Sequence, residues 1–137
     1  MTRNDTKNGK VYFARFTDKE TKQVFYKFGH TRSYDAMDRF TYEPEQYAKW
    51  DIKIMCTVYG PLDEMIGIEE ALKAIYPKNL WLNEKISGVT EIVKFDKQEQ
   101  VKHIIESFKR MSVKYYQIRE KERVKQLHEN AYEGVPF

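Results

Sequence analysis

Apolar and polar positions divide the chain into strand-like and helix-like stretches. Residues 11–16 and 24–31 are rich in aromatic and β-branched side chains, and only a short polar segment separates them. Such a pair of runs predicts an antiparallel hairpin. Residues 50–59 carry apolar side chains at alternate positions, which predicts a third strand with one buried face. A short closing strand is predicted at residues 91–95.

Helical spacing of the apolar residues predicts one short and two longer helices. The short helix covers residues 34–40, and residues 62–76 carry an apolar stripe at about 100° per residue. From 96 to about 128 the same spacing continues without Gly or Pro, which predicts one long helix. The elements predict an α+β fold, sandwich-like, with a small three-stranded antiparallel sheet flanked by helices and the long C-terminal helix packed across it.

A length of 137 residues suits one domain with a small appendage. We expect a flexible leader at 1–9, a compact domain at 10–95 and a C-terminal helical extension at 96–137. The leader is polar and lacks the apolar centre of a secretory signal, and no apolar run reaches the length of a membrane span. The single cysteine, Cys56, fits a reducing compartment, so the cytoplasm is the expected location.

One carboxylate interrupts the apolar stripe of the second helix. Glu69 falls inside that stripe, whereas Glu70 lies beyond its edge. Burying an unpaired carboxylate is costly, so Glu69 is expected to meet a cation, to border a cleft or to be protonated. The alternative is a partly exposed Glu69 paired with Lys73 one helical turn later.

The hairpin is expected to bring a phenol and an amine together. A turn centred on Lys19 and Glu20 would place Tyr12 directly opposite Lys27 on one face of the sheet. The pair then suits proton transfer, or else the tyrosine ring simply covers the lysine stem on a solvated face.

Groups that bind or move protons at phosphate esters follow the second strand. Gly29 is expected to let the backbone turn sharply out of the strand, and His30, Arg32 and Arg39 come within the next ten residues. An alternative for Arg39 is a surface ion pair with Asp35.

The order of these residues resembles that of the GIY-YIG nuclease superfamily, in the branch where Lys replaces the second motif Tyr. The resemblance covers about residues 10–95. Glu91 ends a Gly-x-Thr-Glu segment similar to the one that closes domains of that branch, so it is a second-rank site candidate; a charge at a strand edge is the alternative. The other similar segments are Val11-Tyr12-Phe13, Lys27-Phe28-Gly29-His30-Thr31 and the following Arg39.

The resemblance implies a metal-dependent endonuclease that hydrolyses phosphodiester bonds, with double-stranded DNA as its partner. In that scheme Tyr12 deprotonates or orients the attacking water, and Lys27 and His30 assist it. Arg39 would hold the phosphate. Glu69 would hold a single divalent ion, Mg²⁺ or Mn²⁺.

The long C-terminal helix carries a basic segment. Residues 106–125 contain seven Lys or Arg against three Glu, a net charge of +4, and such a surface suits a phosphate backbone. A solvated helix surface with ion pairs one turn apart explains the same composition. The side chains expected to contact nucleic acid outside the catalytic set are Arg32, Lys109, Arg110 and Lys114.

Two other function classes stay open. The same scaffold without turnover would be a catalytically silent module that binds nucleic acid or a protein partner. A small regulatory domain that binds an anionic ligand in the same cleft is a third class, although the sequence contains no glycine-rich phosphate loop.

Overall fold

One antiparallel sheet and the helices on its two faces make up a mixed α+β fold, as predicted. The computed structural model describes residues 8–33, 35–41, 47–75, 92–93, 95 and 97–133. The strands are β1 (Asn8–Asp18), β2 (Val24–Thr31), β3 (Trp50–Pro61) and β4 (Ile92–Val93). The helices are α1 (Asp38–Thr41), α2 (Leu62–Ile75) and α3 (Gln98–Glu133).

The sheet has the order β3-β1-β2-β4, with every neighbouring pair antiparallel. The three predicted main strands are confirmed, and the predicted closing strand is observed as the two-residue β4 beside β2. The single buried face predicted for β3 is wrong, because a bulge puts Ile54 and Cys56 on opposite faces of the sheet. β1 begins at Asn8, so the predicted leader 1–9 is wrong for its last two residues, and the rest of it lies outside the described residues. The short helix predicted at residues 34–40 is observed only as the single turn α1 at 38–41. The Asp35 carboxylate accepts the Met37 N–H at 2.9 Å in a turn that precedes this helix.

The predicted register of the hairpin is wrong by two residues. Tyr12 pairs with Gly29, and Lys27 pairs with Ala14. Because side chains alternate with a period of two, this shift leaves Tyr12 and Lys27 on the same face of the sheet but no longer directly opposite each other.

The turn between β1 and β2 explains the shift. The Asp18 N–H donates to the Gln23 carbonyl at 2.9 Å, and Lys22 adopts a positive φ of 64°. The Asp18 carboxylate accepts the backbone N–H groups of Glu20 and Thr21 at 2.9 and 3.1 Å. The loop is therefore centred between Glu20 and Thr21, one position later than predicted.

The two faces of the sheet carry separate apolar clusters. We call them the Phe13 face and the Tyr12 face after one residue of β1 on each. On the Phe13 face the strands pack against α2 and α3, while on the Tyr12 face Phe16 packs with Phe40 of α1 and with Trp50. Within the described residues, the Tyr12-face cluster that contains Phe40 of α1 lies over the end of that face near the hairpin turn.

The first half of α3 docks on the domain, as predicted. Ile104 and Phe108 are buried in the Phe13-face cluster, which extends along α3 to Tyr115. The predicted boundary at residue 96 therefore does not separate this helix from the core. Within the described part of the chain, no helix is long and apolar enough to cross a membrane.

α3 also covers the outer edge of β3. The Ser112 hydroxyl donates to the Thr57 carbonyl at 2.9 Å, and the Arg119 guanidinium donates to the Tyr59 carbonyl at 2.7 Å. These bonds satisfy two carbonyls that β1 does not reach, which protects the edge from pairing with another strand.

Candidate active site

A cleft of about 510 Å³ lies beside the C-terminal end of β2. Among the described residues β4 pairs with β2 at Tyr26 and Lys27, and the cleft takes side chains of the following part of β2 from both faces of the sheet. The residues that supply chemistry to its wall are Tyr12, Lys27, His30, Arg32, Glu69 and Lys73.

Glu69 lies on the buried side of α2, as predicted. The residue is only 8% exposed and shares that side with Leu62, Met65 and Leu72, whereas Glu70 is exposed. The stripe therefore carries its one carboxylate to the wall of the cleft.

Both oxygens of the Glu69 carboxylate have partners within the protein. Oε2 lies 3.0 Å from His30 Nδ1, and Oε1 lies 3.7 Å from the Lys73 ammonium. The pairing of Glu69 with Lys73 that the sequence offers as an alternative is therefore present. His30 is a second partner, which the spacing within α2 does not indicate. Since these two groups offset the burial of the carboxylate, burial alone does not require a metal ion.

The Glu69 carboxylate fixes how His30 presents its imidazole. Because an ionised carboxylate only accepts hydrogen bonds, we assign the proton to Nδ1, which leaves the Nε2 lone pair for another proton. The His30 side chain is 39% exposed and lines the cleft. A carboxylate that orients an exposed imidazole is the usual arrangement for general acid–base chemistry.

Gly29 does not turn the chain out of the strand, as the sequence suggested, because β2 continues to Thr31. A Cβ atom at Gly29 would overlap the ring of Tyr12, its partner in β1. Glycine is needed here for the close approach of an aromatic ring from the neighbouring strand. Phe40 packs edge-on against the same ring with 5.7 Å between centroids.

Tyr12 borders the cleft but is only 1% exposed. His30 is therefore the more accessible of the two groups expected to move protons. Lys27, on the same face as Tyr12, is half-buried and lines the cleft as well.

The charge of the cleft favours an anion. Among the described residues its wall carries the cationic side chains of Lys27, Arg32 and Lys73 against one carboxylate, that of Glu69. Lys73 was considered from the sequence only as an ion-pair partner, and its place in the cleft was missed. The available signal was its position four residues after Glu69, which puts both on one side of the helix.

The remaining predicted residues are not brought into this cleft by what the structure describes. Arg39 lies in α1, but its side chain is outside the described residues, as is the whole of Glu91. Lys109, Arg110 and Lys114 are exposed on α3 and do not line the cleft.

A divalent metal ion would find one carboxylate at this site. Among the described residues, no group of three or more His, Cys, Asp or Glu side chains is arranged to hold a metal. Mg²⁺ commonly keeps several waters and takes one or two protein carboxylates, so Glu69 with its unused lone pairs suits a largely hydrated ion.

No family model, curated protein or solved structure matches this chain. The function is therefore argued from the residues of the cleft.

Proposed function

We propose that this protein is a metal-dependent endonuclease that hydrolyses phosphodiester bonds in double-stranded DNA. The observation that carries the proposal is the His30–Glu69 hydrogen bond at the wall of a cleft lined by three cationic side chains. Phosphodiester hydrolysis needs a group that activates water and positive charge against the developing oxyanion. The resemblance to the GIY-YIG nucleases supports the same reaction.

His30 is the group that takes the proton from the attacking water. Its Nδ1–H donates to Glu69 at 3.0 Å, which holds the ring still and leaves Nε2 available as the acceptor. The buried carboxylate also stabilises the imidazolium that forms when the proton arrives. Tyr12, which lies beneath the cleft surface, positions the water or the phosphate rather than meeting bulk solvent.

The cationic side chains hold the phosphate. Arg32 offers a planar guanidinium that matches two phosphate oxygens, and Lys27 and Lys73 supply ammonium groups on two other sides of the cleft. In the family scheme Arg39 adds a second guanidinium from α1. Such preorganised charges are worth about 3–4 kcal/mol of transition-state stabilisation per donor.

Glu69 would hold the divalent ion, Mg²⁺ or Mn²⁺, with water completing its coordination. When bound there, the ion would polarise the phosphate and lower the pKa of a bound water. We place the activity in the cytoplasm, where a single unpaired Cys56 stays reduced.

Cleavage of supercoiled plasmid DNA tests the proposal. The wild type is expected to nick and linearise the plasmid in Mg²⁺ or Mn²⁺, and a chelator should stop it. Glu69→Gln keeps the size of the side chain and one acceptor oxygen for His30 but removes the charge, so turnover should fall at least a hundredfold. Glu70→Gln makes the same change on the exposed side of α2 and should cleave like the wild type.

Two results would overturn the enzyme proposal. Equal cleavage by wild type and Glu69→Gln would remove Glu69 from the mechanism. Binding of DNA without cleavage in either metal would instead support the catalytically silent binding module, which uses the same cationic cleft without turnover.

A further inference from the structure

A second cavity, of about 290 Å³, lies on the Tyr12 face at the end of the sheet that α1 does not cover. Its wall is formed by Lys10 of β1, by Thr57 and Tyr59 of β3, and by Ser112 and Arg119 of α3. These residues contribute two cationic side chains and no carboxylate. The cavity therefore has the charge of an anion site, like the cleft but on the far side of β1.

A row of paired residues joins the two cavities. Lys10 pairs with Thr31 on one side and with Tyr59 on the other. Thr31 lines the cleft, and Tyr59 lines the second cavity. Because neighbouring strands are about 4.8 Å apart, this row spans about 10 Å across the sheet.

Arg119 is held in place by β3. Its guanidinium donates to the Tyr59 carbonyl at 2.7 Å and lies 5.2 Å from the centre of the Tyr59 ring. A guanidinium has five N–H donors, so the bond to one carbonyl leaves others to face the cavity. The side chain is thus ordered before any ligand arrives, which lowers the entropic cost of binding.

The contrast with a neighbouring cavity shows that the charge is local. The cavity between α2 and the distal part of α3 is lined by Glu64 and Glu122 as well as by Arg119 and Arg123, so its charges offset one another. On the sheet side Arg119 lies instead beside a second cation, Lys10, in the part of the wall that the structure describes.

We propose that Lys10 and Arg119 form a second phosphate subsite, which holds the backbone of the DNA strand close to the phosphodiester bound in the cleft. The row between the two cavities spans about 10 Å, a distance over which one DNA strand can contact both subsites. This inference rests on the proposed nuclease function and extends it, because it gives the strand a direction across the sheet.

The subsite also assigns a function to α3 that its basic outer surface did not suggest. The bonds from Ser112 and Arg119 to β3 place the helix so that Arg119 faces the sheet. Residues predicted earlier on this helix, such as Lys114, are exposed elsewhere and do not line the cavity.

The salt dependence of DNA binding tests this subsite. Affinity for a short fluorescein-labelled DNA duplex is measured by anisotropy over a range of salt concentrations, with chelator present so that no cleavage occurs. Lys10→Gln and Arg119→Gln should each weaken binding and reduce the slope of log affinity against log salt by about 0.9, the loss of one phosphate contact. The matched control is Lys53→Gln, which removes an exposed charge from the opposite face of the same sheet.

The outcomes separate the two proposals. If the wild type binds the duplex and both variants keep its affinity and slope, the second subsite is overturned and the nuclease proposal stands. An equal loss in Lys53→Gln also overturns it, since the effect would then come from net charge. If the folded wild type does not bind the duplex at all, the nuclease proposal fails and the subsite fails with it. Thermal unfolding of each variant, Lys10→Gln above all, confirms that the compared proteins are folded.

Discussion

The ring of Tyr12 lies directly across Gly29, its partner in the neighbouring strand, at a distance that leaves no room for a Cβ atom. This contact explains the glycine of the Lys-Phe-Gly-His-Thr segment in physical terms. An aromatic ring that covers a glycine on the adjacent strand buries apolar area and shields the exposed backbone. The contact also fixes the Tyr12 hydroxyl beside the residues of the cleft.

Gly29→Ala is expected to destabilise the protein by about 1–3 kcal/mol, because the added methyl group must displace the Tyr12 ring or the strand. Denaturant unfolding of both proteins measures the difference. In the double variant Gly29→Ala/Tyr12→Ala the cost of the alanine should largely disappear, since the overlapping ring is gone.

Gly67→Ala is the matched control for this change. A Cβ atom at Gly67 in α2 meets nothing within 4 Å. Because alanine favours a helix over glycine, Gly67→Ala should stabilise the protein by about 1 kcal/mol or less. If Gly29→Ala were equally harmless, the close approach of Tyr12 would not constrain the strand.

Tyr115 links α3 to α2 by a hydrogen bond, and its hydroxyl should lose its proton only at high pH. Its hydroxyl donates to Glu64 Oε1 at 2.9 Å. Burial, and then the hydrogen bond and charge of Glu64, raise the pKa of Tyr115 from 10.0 to about 12. A raised pKa means that the folded state favours the neutral phenol, so this stabilisation is complete below pH 10 and is lost as the pH rises from 10 to about 12.

Tyr115→Phe should therefore lower the free energy of unfolding by about 1 kcal/mol at neutral pH. It should also flatten the fall in stability between pH 10 and about 12. Urea unfolding at a series of pH values measures both effects. Tyr116→Phe, at a neighbouring residue that is 57% exposed, should leave the stability curve unchanged. A wild-type curve that matches Tyr115→Phe across this range would contradict the assignment.

The thiol of Cys56 should be inert in the folded protein. Burial is the main cause that raises its pKa from 9.0 to about 12, and Lys109 opposes it weakly. Since the thiolate is the reactive form, three pH units correspond to about a thousandfold less thiolate at pH 8 than in the unfolded chain. Reaction with a disulfide reagent should be slow in buffer and fast in urea. Similar rates in the two conditions would show that Cys56 is reached without unfolding.

The elements of this fold could be predicted because their signals are local. The apolar stripe of α2 depends on residues within one segment, and it placed the buried side correctly, including Glu69. Alternation located β3 but not its buried face, because a bulge opposite Phe13 and Ala14 puts Ile54 on the Tyr12 face and Cys56 on the Phe13 face. The register of the hairpin was not accessible in this way. A shift of two residues preserves the alternation, and the shift depends on the Asp18 carboxylate and the positive φ of Lys22.

The partners within the candidate site were harder to predict because they meet only in the folded chain. His30 and Glu69 are 39 residues apart, and nothing in either segment indicates the other. The space above Gly29 is likewise taken by a ring from another strand. These contacts depend on how α2 and the strands pack against one another, and the spacing of residues within one segment carries no information about that packing.

Glu69→Met is expected to abolish DNA cleavage without loss of stability. The methionine would continue the apolar stripe of Met65 and Leu72, while His30 and Lys73 are exposed enough to regain water. The substitution removes the desolvation cost of the carboxylate, and because His30 and Lys73 regain water instead of staying buried and unpaired, the free energy of unfolding should change by about 1 kcal/mol or less.

If the Glu69 carboxylate serves catalysis and not folding, the Glu69→Met variant should lose its cleavage activity but keep its stability. Unfolding in urea would show Glu69→Met to be as stable as the wild type or more so, while the plasmid assay would show no product. Glu70→Met, on the exposed side of α2, should change neither measurement by much. A loss of several kcal/mol in the free energy of unfolding of Glu69→Met would contradict this prediction, because such a loss is typical when one partner of a buried charge is removed. The carboxylate would then serve to hold His30 and Lys73 in the fold, and this support for its role in catalysis would be lost.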